Sequence, residues 1–229
     1  MDTEKNKPHY FGHRSRVKDK FLNCGFDNFA DYEILEFALF FAIERIDVKP
    51  LAKELIKKFG SVKQVLDADF EELAGFPGLS RHSAVFLVFL REMAGYYSYL
   101  DIKSSRSLSS PGAVADYLIS VLSGEKIEKF FAVLLDSGNK VIECKEIESG
   151  TVNRSAVMPR KIAEEALKNK ASAVILAHNH PGGTLKPSAN DIDATDAVRL
   201  ALQTRDITIL DHIIVSGNKY FSFKEHNLI

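Results

Sequence analysis

From Phe21 to Tyr99 the apolar residues recur three or four positions apart, so this part of the chain is expected to be helical throughout. Asp31 is placed to cap a helix running through Glu33, Ile34, Leu35, Phe37, Ala38 and Phe41. Pro50 suits a first helical turn, with Leu51, Leu55, Ile56 and Phe59 on one face and Gly60 placed to end it. Ser61 to Gln64 and Asp69 to Glu72 both have capping-box spacing, which predicts two short helices. A further helix carries Ala84, Val85, Leu87 and Val88. Leu100 to Ser110 is polar, serine-rich and without period, and reads as a linker. Ser110 and Pro111 then look like an N-cap and a first-turn proline. The expectation is a helical domain over residues 1–105 and a second domain over 106–229.

The second half changes period. A helix from Pro111 to about Leu122 turns Val114, Tyr117, Leu118 and Val121 inward. Phe130 to Leu135 is a strand, Asp136 to Asn139 a turn, and Lys140 to Ile147 a second strand, together a hairpin. Arg160 to Asn169 reads as a helix, and Ala173 to Leu176 as a buried strand. After a helix through Ile192, Ala194, Val198, Leu200 and Ala201, two strand-like runs follow, Ile207–Leu210 and His212–Val215. A turn at Ser216 to Asn218 and a last strand, Tyr220 to Phe223, close the pattern. Helices interleaved with hairpins predict an α/β domain with a mixed sheet.

Composition narrows the class. Of 229 residues, 45% are hydrophobic and 27% charged, as in a folded domain and unlike a disordered chain. The net charge of -1 gives no global attraction to nucleic acid or anionic membrane. Residues 5 to 20 are basic (Lys5, Lys7, His9, His13, Arg14, Arg16, Lys18, Lys20, against Asp19) and read as a solvated leader rather than a phosphate-binding arm. The two cysteines, Cys24 and Cys144, form no scaffold or thiolate pair and fit a reducing compartment. Neither of the longest apolar runs, Phe37–Ile43 and Ala84–Leu90, is long enough to span a bilayer, so no membrane association is expected. The charged N-terminus shows no secretory apolar core, and the expected location is cytoplasmic.

The candidate chemistry lies in Ala177-His178-Asn179-His180-Pro181, continuing through Gly182, Gly183, Pro187 and Ser188 to Asp191. Residues two apart in a strand share a side, so His178 and His180 can converge, and the loop can fold Asp191 back toward them. Two imidazoles and a carboxylate with a position left open are a catalytic zinc ligand set. The plainer alternative is a helix junction, since Ser188 and Asp191 also have capping-box spacing, and both can hold at once.

The motif His178-x-His180, Ser188 and Asp191 is identical in spacing to the JAMM (MPN-plus) metalloprotease signature. Gly150-Thr151-Val152-Asn153, Pro159-Arg160, Ala173 to Pro181, and Asp211-His212-Ile213-Ile214 resemble the bacterial RadC family of that superfamily, over nearly the whole chain. Two local departures are Lys161 in place of an acid and Gly182 in place of Ser. The resemblance implies a mixed-sheet JAB/MPN fold, Zn2+ at His178, His180 and Asp191, and a peptide or protein substrate. It further implies Ser188 as donor to an oxyanion and a catalytic Glu at the start of an apolar strand. Glu128 matches that placement best among Glu125, Glu128, Glu143, Glu146 and Glu148, with Glu146 and Glu148 the alternatives. His212, beside Asp211, reads as a hydrogen-bonded histidine that orients a ligand rather than binding metal.

Two other functions stand beside amide hydrolysis. The segment 69–91, with Leu73 to Ser80 at its turn, resembles a helix-hairpin-helix, which would let residues 1–105 bind DNA in a repair role. Ser80 stands where that module has its second Gly, which favours a packing unit over a DNA contact. A metal-stabilised scaffold without catalysis is the third possibility, and the intact ligand set argues against it.

Overall fold

The computed structural model describes residues 12–44, 46–104, 111–150 and 154–229. The chain divides into two compact units, Met1–Met93 and Ala94–Ile229. Its architecture is α/β, with a helical N-terminal region and a C-terminal mixed sheet.

The first unit contains α1 (His13–Cys24), α2 (Asp31–Ala42), α3 (Lys49–Phe59), α4 (Val62–Leu66), α5 (Phe70–Ala74) and the start of α6 (Arg81–Ser104). Leu35, Leu39, Ala52, Leu55, Val65, Leu73, Ala84 and Leu87 form its core. Asp31 does not cap its own helix. Its carboxylate instead accepts from Val62 N at 3.1 Å, the start of α4, while Glu33 reaches back to Ala30 N at 3.0 Å. A partner thirty-one positions away overrides the local spacing. Arg14, from the basic leader, donates to the carbonyls of Phe40, Ile43 and Ile46 at 3.2, 2.7 and 2.8 Å, where α2 ends. A cation there satisfies the orphan carbonyls of a helix C-terminus. Residues 1–11 of that leader lie outside the described residues.

In the segment expected to resemble a helix-hairpin-helix, α5 and α6 are joined through Gly78, whose φ is +89°. That backbone conformation favours glycine, and an added Cβ would also press on the Leu51 side chain at 3.2 Å. Ser80 Oγ accepts from Ser83 N at 3.1 Å, capping α6. Arg81 lies over the Phe70 ring, and Arg91 pairs with Glu92.

The second unit begins within α6, which runs through Leu100 to Ser104, the first part of the expected linker. Ile102 and Tyr99 pack into the core beside α7 (Pro111–Leu122), and that burial carries the helix on. The rest of the linker, residues 105–110 with the expected cap Ser110, lies outside the described residues.

Among the described residues the sheet has five strands in the order β2-β1-β3-β4-β5. These are β1 (Lys129–Leu135), β2 (Val141–Ser149), β3 (Ala173–Asn179), β4 (Thr208–Ser216) and β5 (Lys219–Ser222). The β3–β4 pair is parallel and the others antiparallel. One face packs on α7 through Phe131, Val133, Ile175 and Ile213. The other packs on α8 (Arg154–Lys168) and α9 (Ala189–Gln203) through Phe130, Ala132, Leu176, Ile162 and Val198. The two strand-like runs around Asp211 form one strand, β4. Asp211 is accommodated because its carboxylate accepts from His212 N, Lys224 N and Ser222 Oγ at 2.7, 3.0 and 2.6 Å. Helix α8 starts at Arg154, ahead of the expected Arg160, and contains Pro159. Among the described residues no helix is long and apolar enough to cross a membrane.

A parallel β3–β4 pair needs a crossover, and α9 supplies it. The loop from His180 to Ser188 therefore joins the carboxyl end of β3 to the first turn of α9, which places the candidate chemistry.

Candidate metal centre

His178 lies in β3 on the face that carries Val174 and Leu176, opposite Phe130 of β1 in register. His180 follows the strand, its N–H still bonded to Val215 O at 2.8 Å. Asp191 is the third residue of α9, and Glu128 immediately precedes β1. These four side chains offer ligand atoms that all lie within 4.8 Å of one another. The His178 and His180 Nε2 atoms are 2.9 Å apart. Asp191 Oδ1 is 3.3 Å from His178 Nε2, and Oδ2 is 3.4 Å from His180 Nε2. Glu128 Oε1 stands further off, 4.0 Å from His178 Nε2. Glu146 and Glu148 are outside this group, and Glu146 lies near Lys129 at 3.6 Å.

The donor set fits a divalent metal. His180 Nδ1 is 3.0 Å from Thr184 O, which can only accept, so the neutral ring carries its proton there and leaves Nε2 bare. His178 is wholly buried and Asp191 nearly so, which makes any uncompensated charge between them costly. Hydrogen bonding to Asp191 raises the pKa of His180 against the opposing effect of burial. Burial works to raise the pKa of Asp191, but its contacts with His178 and His180 and the bond from the Ser188 N–H outweigh it and hold the carboxyl far below its usual range. The three groups draw positive charge to the point between them, where protons and a metal compete.

Ser188 serves as the N-cap of α9, accepting from Asp191 N at 3.2 Å. Its hydroxyl and its N–H both donate to Asp191 Oδ2 at 2.7 Å, which aims the carboxylate and leaves Oδ1 toward His178. The capped-junction and ligand readings of Ser188 and Asp191 are thus compatible. Gly182, a departure from the expected motif, has open space where a Cβ would be, and Lys161 is exposed on α8.

Two supporting residues were not singled out from the sequence. Asn179, between the two histidines, points to the opposite side of β3 and is 2% exposed. Its Oδ1 accepts from Lys129 N at 2.8 Å, and its Nδ2 donates to Ile127 O at 3.0 Å and Glu125 O at 3.3 Å. These bonds grip the backbone on both sides of Glu128, tying its position to the strand that delivers the histidines. Asn179→Ala should cost about 1–3 kcal/mol for each backbone group left buried and unpaired. Hydrogen exchange at the Lys129 amide should quicken, and exchange as slow as in the wild type would remove this role. The second residue, Thr195, stands one helical turn beyond Asp191.

A family model described as the RadC-like JAB domain matches residues 108–228, which include all four side chains of the cluster. The chain belongs to the RadC family of the JAB superfamily. A UPF0758 protein of Fusobacterium nucleatum subsp. nucleatum is 40% identical over 225 residues, covering 95% of this chain and 97% of that protein. For a RadC-family chain the cluster fits a JAMM-type metallohydrolase, with Glu128, His178, His180 and Asp191 as the group able to hold or flank a metal.

Proposed function

We propose that this RadC-family chain is a zinc-dependent hydrolase of peptide or isopeptide bonds. The observation that carries the proposal is the grading of distances within the cluster. Asp191 stands beside both histidines, whereas Glu128 Oε1 is 4.0 Å from His178 Nε2, near the centre without crowding into it. A metal held by His178, His180 and Asp191 would supply Lewis-acid polarisation of a carbonyl and a water that ionises near neutral pH.

The chain's own residues divide the remaining work. Glu128 Oε1 would accept the proton of the attacking water and return it to the leaving nitrogen, the task of a general base that becomes a general acid. Ser188 Oγ would turn from Asp191 Oδ2 to donate to the oxyanion of the tetrahedral intermediate, a contribution of about 3 kcal/mol in comparable sites. Its N–H would keep Asp191 oriented meanwhile. Asn179 would hold Glu128 in place throughout.

The test is a comparison of peptide termini in cells carrying the wild-type protein and cells carrying Glu128→Gln. New termini, or new free lysine side chains where isopeptides are cut, should appear only with the wild type. Identical terminus profiles in these two strains would remove Glu128 as the base, and profiles unchanged also by His178→Ala would sink the hydrolase reading.

A further inference from the structure

His178 can bind a metal through Nε2 only if its ring proton sits on Nδ1. That nitrogen faces not a carbonyl or carboxylate but a second imidazole, His212 Nε2, at 2.8 Å. On the far side of that ring, His212 Nδ1 is 2.7 Å from Thr195 Oγ1. The Thr195 hydroxyl in turn donates to Asp191 O at 2.6 Å. His178, His212 and Thr195 are all at most 3% exposed, so no solvent completes these bonds.

The chain of bonds can run in one of two directions. If Thr195 gave its hydrogen to His212 Nδ1, then His212 Nε2 would donate to His178 Nδ1. The His178 proton would then sit on Nε2, facing His180 Nε2 at 2.9 Å and closed to a metal. If Thr195 gives its hydrogen to Asp191 O, every bond points the other way. Its oxygen accepts from His212 Nδ1–H, His212 Nε2 accepts from His178 Nδ1–H, and His178 Nε2 is left bare. The short Thr195–Asp191 contact selects this second direction. His212 is wholly buried, with Thr195 Oγ1 against one ring nitrogen and His178 Nδ1 against the other, so a single ring proton serves both bonds. Phe223, stacked at 4.6 Å, and Phe130, edge-on at 5.5 Å, fix the ring plane that both bonds require.

We propose that Thr195 and His212 are positioning residues that set the proton on His178 Nδ1 and thereby open His178 Nε2 to a metal. The relay begins at the backbone of one candidate ligand, Asp191, and ends at the ring of another, His178, so α9 and β3 are coupled through it. This rests on the metal reading above.

The experiment joins two measurements on the full-length chain. Long-range nitrogen–proton correlation spectra of the metal-free protein should show the His212 and His178 protons on Nδ1. Protons on Nε2 of both rings would overturn the relay, and this readout needs neither zinc nor turnover. Calorimetric titration with Zn2+ should then show affinity falling about 10- to 100-fold in Thr195→Val, which keeps the shape of the side chain but can neither accept nor donate. Thr195→Ser, which restores the hydroxyl, should return affinity to near the wild-type value. Zinc affinity in Thr195→Val equal to that of the wild type would reject the relay alone, whereas a wild type that takes up no zinc would reject the metal reading and the relay's purpose with it. Should Thr195→Val fail to fold, the wild-type spectra still decide.

Discussion

Asp191→Asn is expected to leave the second unit folded and to weaken zinc binding by about a hundredfold or more, the cost of losing the anionic member of the ligand set. The amide oxygen of Asn can still accept from the Ser188 N–H and hydroxyl, so the cap on α9 should survive. Zinc at about a thousand times its dissociation constant would stabilise a zinc-binding wild type by about 4 kcal/mol. A site a hundredfold weaker would keep only about 1.4 kcal/mol of that at the same zinc concentration. The zinc-induced rise in unfolding temperature should therefore shrink by about 5–10 °C for a chain of this length. Differential scanning calorimetry with and without Zn2+ measures it, and an undiminished rise would show that Asp191 does not hold the metal.

The second large effect is on turnover. Glu128→Gln should reduce hydrolysis of a substrate found by terminus profiling by about 10²–10⁴-fold, the usual contribution of a positioned general base. Zinc content should not change, because Glu128 stands off from the centre at 4.0 Å while the other three groups close around it. Elemental analysis beside the rate measurement separates the two roles. Loss of metal together with turnover would make Glu128 a ligand, and unaltered turnover would shift the base elsewhere.

Protons compete with the metal, and the direction follows from His180. Bonding to Asp191 raises its pKa, so protonation of the metal-free site begins at a higher pH than for an ordinary imidazole. Zinc affinity should be fully developed above that range and fall as pH is lowered through it, since the proton and the metal claim the same nitrogen. Titrations at pH 8 and pH 6 would show this, and equal affinities would indicate a site without histidine ligands.

The parts of this centre that could be read from sequence are local. A strand exit, two prolines, two glycines and a helix cap set His178, His180, Ser188 and Asp191 within fourteen positions, and short-range rules govern each. Glu128 is fifty positions upstream of His178, and only the start of an apolar strand marked it among several glutamates. The structure brings Glu128, rather than Glu146 or Glu148, beside the histidines because β1 lies next to β3 while β2 forms the edge.

Asn179 and Thr195 carried no such mark. Their partners come from a loop some fifty positions away and from β4, so their roles exist only once the sheet has formed. Asp31 went the same way, its carboxylate taken by α4 rather than by the helix it begins. The linker expected from Leu100 is shortened by the burial of Ile102, an apolar residue in a mostly polar stretch. In each case a long-range contact outweighed a local propensity worth about 1 kcal/mol or less.

The proposed chemistry requires His178, His180 and Asp191 to bind one divalent ion. The most direct measurement is anomalous diffraction from crystals grown with Zn2+, recorded on both sides of the zinc absorption edge. A single strong peak is expected, bounded by His178 Nε2, His180 Nε2 and an Asp191 carboxylate oxygen, at about 2.0–2.2 Å from each. A zinc-free centre in a crystal that carries zinc elsewhere, or a peak bound by other side chains, would contradict it.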